Sequence, residues 1–153
     1  MQSKKECRMF SGQYNTTLNS TNQLTPPQRF GDLLAQGGVV TQGFDRNLMV
    51  LTSQAFQELT SRVMSMNLTN PLARMLLRML LGNANEVALD QTGQLTIPKK
   101  LCRIANLQSP TVMVGMGDFF EIWSAEAWSE QETKLTDSEA DPSRYSSLNL
   151  VMR

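Results

Sequence analysis

The chain alternates short runs of period-two hydrophobicity with runs of period three to four, and it does so twice. Phe10, Gly12, Tyr14, Thr16 and Leu18 alternate with polar residues, which predicts a first strand within Phe10–Asn19. Asn19–Asn22 predicts a turn, because asparagine tolerates left-handed backbone, and Gln23–Thr25 predicts a short return strand. Pro26 and Pro27 end it, since proline offers no ladder donor. Phe30, Leu33 and Leu34 share one helical face, so Pro27–Ala35 predicts a short helix entered through proline and closed by Gly37 and Gly38. Val39–Thr41 and Leu48–Leu51 predict two further strands around a turn containing Gly43.

Two helices follow. Thr52 or Ser53 caps the first, which runs to about Ser65 with Phe56, Leu59, Val63 and Met66 inward. Thr69 or Asn70 caps the second, with Pro71 at its first position and Gly82 as its stop. Leu72, Met75, Leu76, Met79 and Leu80 form an apolar stripe flanked by Arg74 and Arg78, which read as a solvated flank. The methionine-rich stretch over 64–79 is assigned to core and oligomer contact, because flexible methionine fills irregular gaps.

The pattern then recurs. Leu18–Pro27 reads LNSTNQLTPP and Leu89–Pro98 reads LDQTGQLTIP, in constant register. The second copy predicts strand Glu86–Asp90, turn Gln91–Gly93, return strand Gln94–Ile97 and helix Pro98–Ala105 with Leu101 and Ile104 inward. Strands Thr111–Val114 and Phe119–Trp123 follow, then a helix capped by Ser124 and carrying Trp128. After one inserted residue near 106–110, Val40 aligns with Val112, Gly43 with Gly115, Leu48 with Phe120 and Phe56 with Trp128. Trp123 and Trp128 read as core or interface anchors. A self-match of this kind decides the architecture. Each copy is too small to bury an adequate core alone, so the two are expected to pack as a pseudo-dimer around one core. The predicted fold is α+β, a single pseudosymmetric domain over 10–132. Its first repeat spans about 10–56, its bridging helices about 53–81 and its second repeat about 85–128. Residues 1–9 read as a flexible lead-in and 133–153 as a polar tail ending in an apolar Leu148–Met152.

Composition narrows the function more than the fold. The 153 residues are 41% hydrophobic and 18% charged, as in soluble globular proteins, and no apolar run approaches the ~20 residues of a membrane span. No apolar segment follows the charged Lys4, Lys5, Glu6 and Arg8, so no signal peptide is expected. Cys7 and Cys102 read as reduced cytosolic thiols. The chain has no histidine, which excludes Ser-His-Asp and Cys-His nucleophiles and the common histidine metal sites. No enzyme, cofactor or metal is expected. Fourteen basic and 14 acidic residues cancel, which leaves nucleic-acid binding open, since a local basic patch can sit on a neutral chain.

The doubled motif Leu-[Asn/Asp]-x-Thr-[Asn/Gly]-Gln-Leu-Thr-x-Pro resembles that of the MraZ family, within the AbrB/SpoVT swapped-hairpin superfamily. Phe10, Gly12 and Tyr14 match the opening of the family's first repeat. Met79–Val87 is similar to its midsection, and Val114-Gly115 and Glu121-Ile122-Trp123 to the end of its second repeat. The resemblance covers about residues 10–132. It implies two tandem swapped-hairpin repeats forming an intrachain pseudo-two-fold β-barrel with bridging helices. It also implies a sequence-specific DNA-binding transcriptional regulator of the cytoplasm and nucleoid, acting on a division and cell-wall gene cluster. Its partners would be short direct repeats of double-stranded DNA upstream of its own operon, and further copies of itself in a ring, with no membrane. The residues it points to are Asn19, Thr21, Gln23 and Arg29 in the first repeat, and Asp90, Thr92, Gln94, Lys99, Lys100 and Arg103 in the second.

This chain departs from the family turn, Asp-x-x-x-Arg, whose arginine is the expected DNA contact. Asn19 and Gln23 replace both the acid and the arginine; Asp90 keeps the acid and Gln94 replaces the arginine. Glutamine cannot supply the charge of arginine, though it can pair with adenine. Each lost phosphate contact weakens binding and flattens its salt dependence. The alternative is therefore a degenerate oligomeric scaffold of the same fold that has lost DNA binding and acts through protein partners. Gln23 and Gln94 would then be wet hairpin residues, Asp90 a turn former, and Arg29, Lys99, Lys100 and Arg103 a solvated helix face.

Overall fold

The computed structural model describes residues 8–137 and 142–150. The first repeat supplies β1 (Gln13–Thr17), β2 (Gln23–Leu24), α1 (Gln28–Leu33), β3 (Gly38–Gln42) and β4 (Leu48–Thr52), followed by α2 (Ser53–Met64) and α3 (Pro71–Leu80). The second supplies β5 (Asn85–Val87), β6 (Leu95–Thr96), α4 (Lys99–Ile104), β7 (Pro110–Gly115), β8 (Phe119–Ser124) and α5 (Ala125–Thr136), followed by a 3-10 helix over Pro142–Leu148. The caps repeat as well. The Thr52 hydroxyl accepts from the Ala55 amide at 3.0 Å, and the Ser124 hydroxyl accepts from Ala127 at 3.1 Å.

Six strands form one antiparallel sheet in the order β1-β7-β8-β4-β3-β5, and β2 pairs with β6 in a separate ribbon. The order is palindromic: exchanging each strand for its repeat counterpart reverses it. The pseudo-two-fold runs between β4 and β8, where Val50 faces Phe120. Each repeat lends its first strand to the other, β1 to β7 and β5 to β3. The ladder ends at β1 and β5, so its hydrogen bonds do not close into a barrel.

One core serves both copies, as the repeat requires. Leu24 and its counterpart Leu95 are both 1% exposed, and Phe30 and its counterpart Leu101 are equally buried within the same cluster. Phe30 sits among Phe10, Tyr14 and Phe120, with ring centroids 4.9–5.1 Å away. Edge and tilted contacts at this spacing favour the ring quadrupoles. Outside the sheet, α2 and α3 cover Met49 and Leu51, and α5 covers Val112 and Val114 through Trp128. Gly115 is packed against backbone: a Cβ there would collide with the Ser11 amide.

Three expectations shift. The first strand begins at Gln13, and Phe10 forms only an isolated bridge with Gly117. The α5 helix runs to Thr136, past the point where the sequence turns polar, because Glu, Gln and Lys are good helix formers. The apolar stripe of α3 is covered only at its C-terminal end. There Leu80 is buried and Thr41 donates to its carbonyl at 2.7 Å, while Leu72 and Met75 are 69% and 63% exposed. Residues 1–7 of the expected lead-in and Val151–Arg153 lie outside the described residues. Leu148 and Leu150 of the apolar end are exposed. Among the described residues no helix is long and apolar enough to cross a membrane.

Candidate nucleic-acid interface

Two polar turns flank the β2–β6 ribbon, and their residue types explain their shape. Asn19 Oδ1 accepts from Thr21 N at 3.0 Å, Thr21 Oγ1 at 2.8 Å and Gln23 N at 2.9 Å. Asp90 Oδ1 accepts the same three bonds, from Thr92 N at 2.8 Å, Thr92 Oγ1 at 2.7 Å and Gln94 N at 3.0 Å. Each turn is closed by a left-handed residue, Asn22 at φ 61° and Gly93 at φ 80°. The doubled Asx-x-Thr-[Asn/Gly] pattern is thus a folding instruction: an acceptor, a hydroxyl and a residue free to take positive φ.

The turns differ in charge. The Asp90 carboxyl is held below the usual carboxylate range, first by the Gln94 amide and then by the Thr92 hydroxyl. A depressed native pKa gives a stabilising contribution that is present above the unfolded value and lost as pH falls through the native one. Asn19 makes the same bonds without titrating. On acidification, the Thr92 and Gln94 amide resonances are expected to shift while those of Thr21 and Gln23 stay in place. A two-dimensional NMR pH series checks this, and equal movement at both turns would contradict it.

The two glutamines fold back over the ribbon. Gln23 Oε1 accepts from Asn19 Nδ2 and Thr21 Oγ1, both at 3.1 Å, and its Nε2 lies 3.5 Å from Asp90 Oδ2. Gln94 Nε2 donates to Thr25 Oγ1 at 3.4 Å. Strand exchange then decides which helix accompanies which turn. Ile97 N donates to Asn22 O at 2.8 Å, so the start of α4, with exposed Lys99 and Lys100, lies beside the first turn. Thr25, leading into α1, lies beside the second.

Two residues named from the sequence stand apart from this cluster. Arg29 Nη2 donates to Ser11 O at 2.6 Å and Tyr14 Oη at 2.7 Å, with its guanidinium carbon 5.7 Å from the Phe30 ring centre. It ties α1 to the start of the chain; the tyrosine that holds it was in the sequence, but not its reach across the fold. Arg103 lines a different cleft of about 510 Å³ with Asp45, Arg46, Glu126 and Glu130, and no residue of the two ribbon turns lines it. Asn19, Thr21, Gln23, Asp90, Thr92, Gln94, Lys99 and Lys100 come together around the ribbon.

A second feature was not legible in the motif. An apolar cleft of about 610 Å³ opens on α3, lined by Phe44, Met66, Leu72, Ala73, Met75, Leu76 and Met79 among others. Phe44 sits in the β3–β4 turn and is 65% exposed. An aromatic placed inside a turn was the available signal. Among the described residues, no group of three His, Cys, Asp or Glu side chains is arranged to hold a metal ion.

Comparison with known proteins places both halves of the chain in one family. The family model described as "MraZ protein, putative antitoxin-like" matches residues 9–79 and again 80–147. The transcriptional regulator MraZ of Herpetosiphon aurantiacus is 38% identical over 120 residues, covering 78% of this chain and 84% of that protein. That of Mycolicibacterium smegmatis is 37% identical over 124 residues, covering 81% and 87%. The MraZ of Clostridium tetani is 31% identical over 142 residues, covering 93% of this chain and all of that protein.

Proposed function

The chain belongs to the MraZ family, and from that we propose that it is a non-enzymatic transcriptional regulator that binds double-stranded DNA through the β2–β6 ribbon. The observation that carries this reading is the ribbon itself. It brings two turns of one design and the exposed lysines of α4 to a single place, with their polar atoms at the surface. Such a pair of surface turns suits a groove and its phosphates. The exchanged strands and the ribbon would be this chain's version of the superfamily's swapped hairpins, around a sheet whose ladder stays open. The targets would be short direct repeats upstream of its own operon, in a cluster of division and cell-wall genes, and the protein would act at the nucleoid.

Assembly is the second part of the reading. The α3 face belongs to the first repeat: where α3 runs over Pro71–Leu80, the corresponding place in the second repeat holds the shorter 3-10 helix Pro142–Leu148. It exposes Phe44, Met64, Leu68, Leu72 and Met75. Contiguous apolar exposure of this kind marks an interaction surface. We assign it to a further copy of the chain in a ring. A face off the internal two-fold that meets a different face of its neighbour generates rings when the rotation closes.

The test is a fluorescence-anisotropy titration of a labelled duplex from the region upstream of the gene, at low salt. Binding is expected, and no binding would sink the reading. Gln23→Arg with Gln94→Arg is expected to tighten binding and steepen its salt slope by about two, since each restored phosphate contact adds about 0.9. The scaffold reading is favoured by one observation, the engagement of both glutamines by neighbouring side chains, Gln23 by Asn19 and Gln94 by Thr25. It requires that the unsubstituted chain assemble yet ignore DNA.

A further inference from the structure

We infer that the DNA-facing surface is one-sided: a composite of the first repeat's turn and the second repeat's helix α4 carries the phosphate contacts, and the mirrored composite does not. This rests on the DNA-binding reading above. The internal repeat suggests two equal halves, and strand exchange redraws them. One half joins the Asn19–Asn22 turn to Lys99 and Lys100, through the β2–β6 pairing and the bond from Ile97 N to Asn22 O at 2.8 Å. The other joins the Asp90–Gly93 turn to Thr25 and the start of α1, where Gln28 and Arg29 occupy the positions of the two lysines.

The halves differ in their charges and in how those charges are held. The first has an uncharged turn, because an amide does the work of a carboxylate at Asn19, and two exposed lysines that make no hydrogen bond or ion pair to another described residue. The second has the Asp90 carboxylate in its turn. Gln28 is neutral, and Arg29 is held by Ser11 O and Tyr14 Oη. Tyr14 has Asn85 as its counterpart in the repeat, so Lys100 meets no equivalent clamp. A phosphate approaching the first half finds two free cations, with the Asp90 carboxylate at its margin beside Gln23; at the second it meets that carboxylate in the turn itself and an arginine already engaged. A unit loaded on one side has a direction along the duplex. It therefore suits sites repeated in one orientation better than inverted ones.

The experiment measures the salt dependence of binding by the full chain to a labelled random-sequence duplex, where phosphate contacts dominate. Lys99→Gln with Lys100→Gln is expected to lower the slope of log affinity against log salt by about two and to weaken binding about tenfold or more. Asn19→Asp keeps the turn's acceptor and sets a carboxylate beside the lysines; it is expected to weaken binding by more than Asp90→Asn strengthens it. An unchanged slope in the lysine variant, or equal and opposite shifts from the two turn exchanges, overturns the one-sided surface while leaving DNA binding intact. No binding by the unsubstituted chain at low salt overturns both.

Discussion

Replacing Phe30 with alanine is expected to lower the stability of the whole domain by about 3–5 kcal/mol, the usual cost of emptying a large buried aromatic site. Phe30 is fully buried and touches rings from three other parts of the chain: Phe10 at 5.1 Å, Tyr14 at 5.1 Å and Phe120 at 4.9 Å between centroids. Phe120 belongs to the second repeat, so the loss is felt by both copies. Chemical denaturation followed by tryptophan fluorescence reports it well, since Trp123 and Trp128 both lie in the second repeat. The expected result is one cooperative transition moved to lower denaturant. A transition that splits in two, with the tryptophan signal unmoved, would show that the repeats hold separate cores.

The second large effect concerns assembly. Leu72→Glu with Met75→Glu is expected to convert the proposed oligomer to monomer while leaving the fold within about 0.5 kcal/mol of its original stability, as surface substitutions usually do. Both side chains are more than 60% exposed in the single chain, so neither supports the core. In a contact between copies they would be desolvated, and two carboxylates there would be buried without partners. Sedimentation velocity distinguishes the states, and a double variant that sediments like the parent removes α3 from the interface. Monomers would also bind tandem DNA sites more weakly, because linked contacts raise the effective concentration at each neighbouring site.

What the sequence disclosed and what it hid divide along physical lines. The turns were legible because their chemistry is local: Asn19 and Asp90, Thr21 and Thr92, Asn22 and Gly93 fix their backbone within five residues. The shared core was legible because Leu24 and Leu95 recur in register and neither copy is large enough to stand alone. Arg29 was not, since its partners Ser11 and Tyr14 are brought to it by the return of β1 along β7. The stripe on α3 announced an apolar face correctly. It did not say how much of that face the sheet covers, because periodicity reports which side is apolar and is silent on what lies against it. The pairing of the first turn with the second repeat's lysines was equally hidden. It follows from strand exchange, and no window of sequence contains both partners.

The order β1-β7-β8-β4-β3-β5 also bears on how the chain comes into being. The ladder places Gln13 opposite Val114, so β1 leaves the ribosome long before the strand it pairs with. Until β7 has been synthesised, β1 has no partner and Phe30 lacks Phe120 beside it. The first repeat therefore emerges with an unfilled edge and an uncovered core. Contacts of such long range make folding slow and leave nascent surface open to association. The first repeat depends on a sequence not yet translated, and its fold is completed only when the second has emerged.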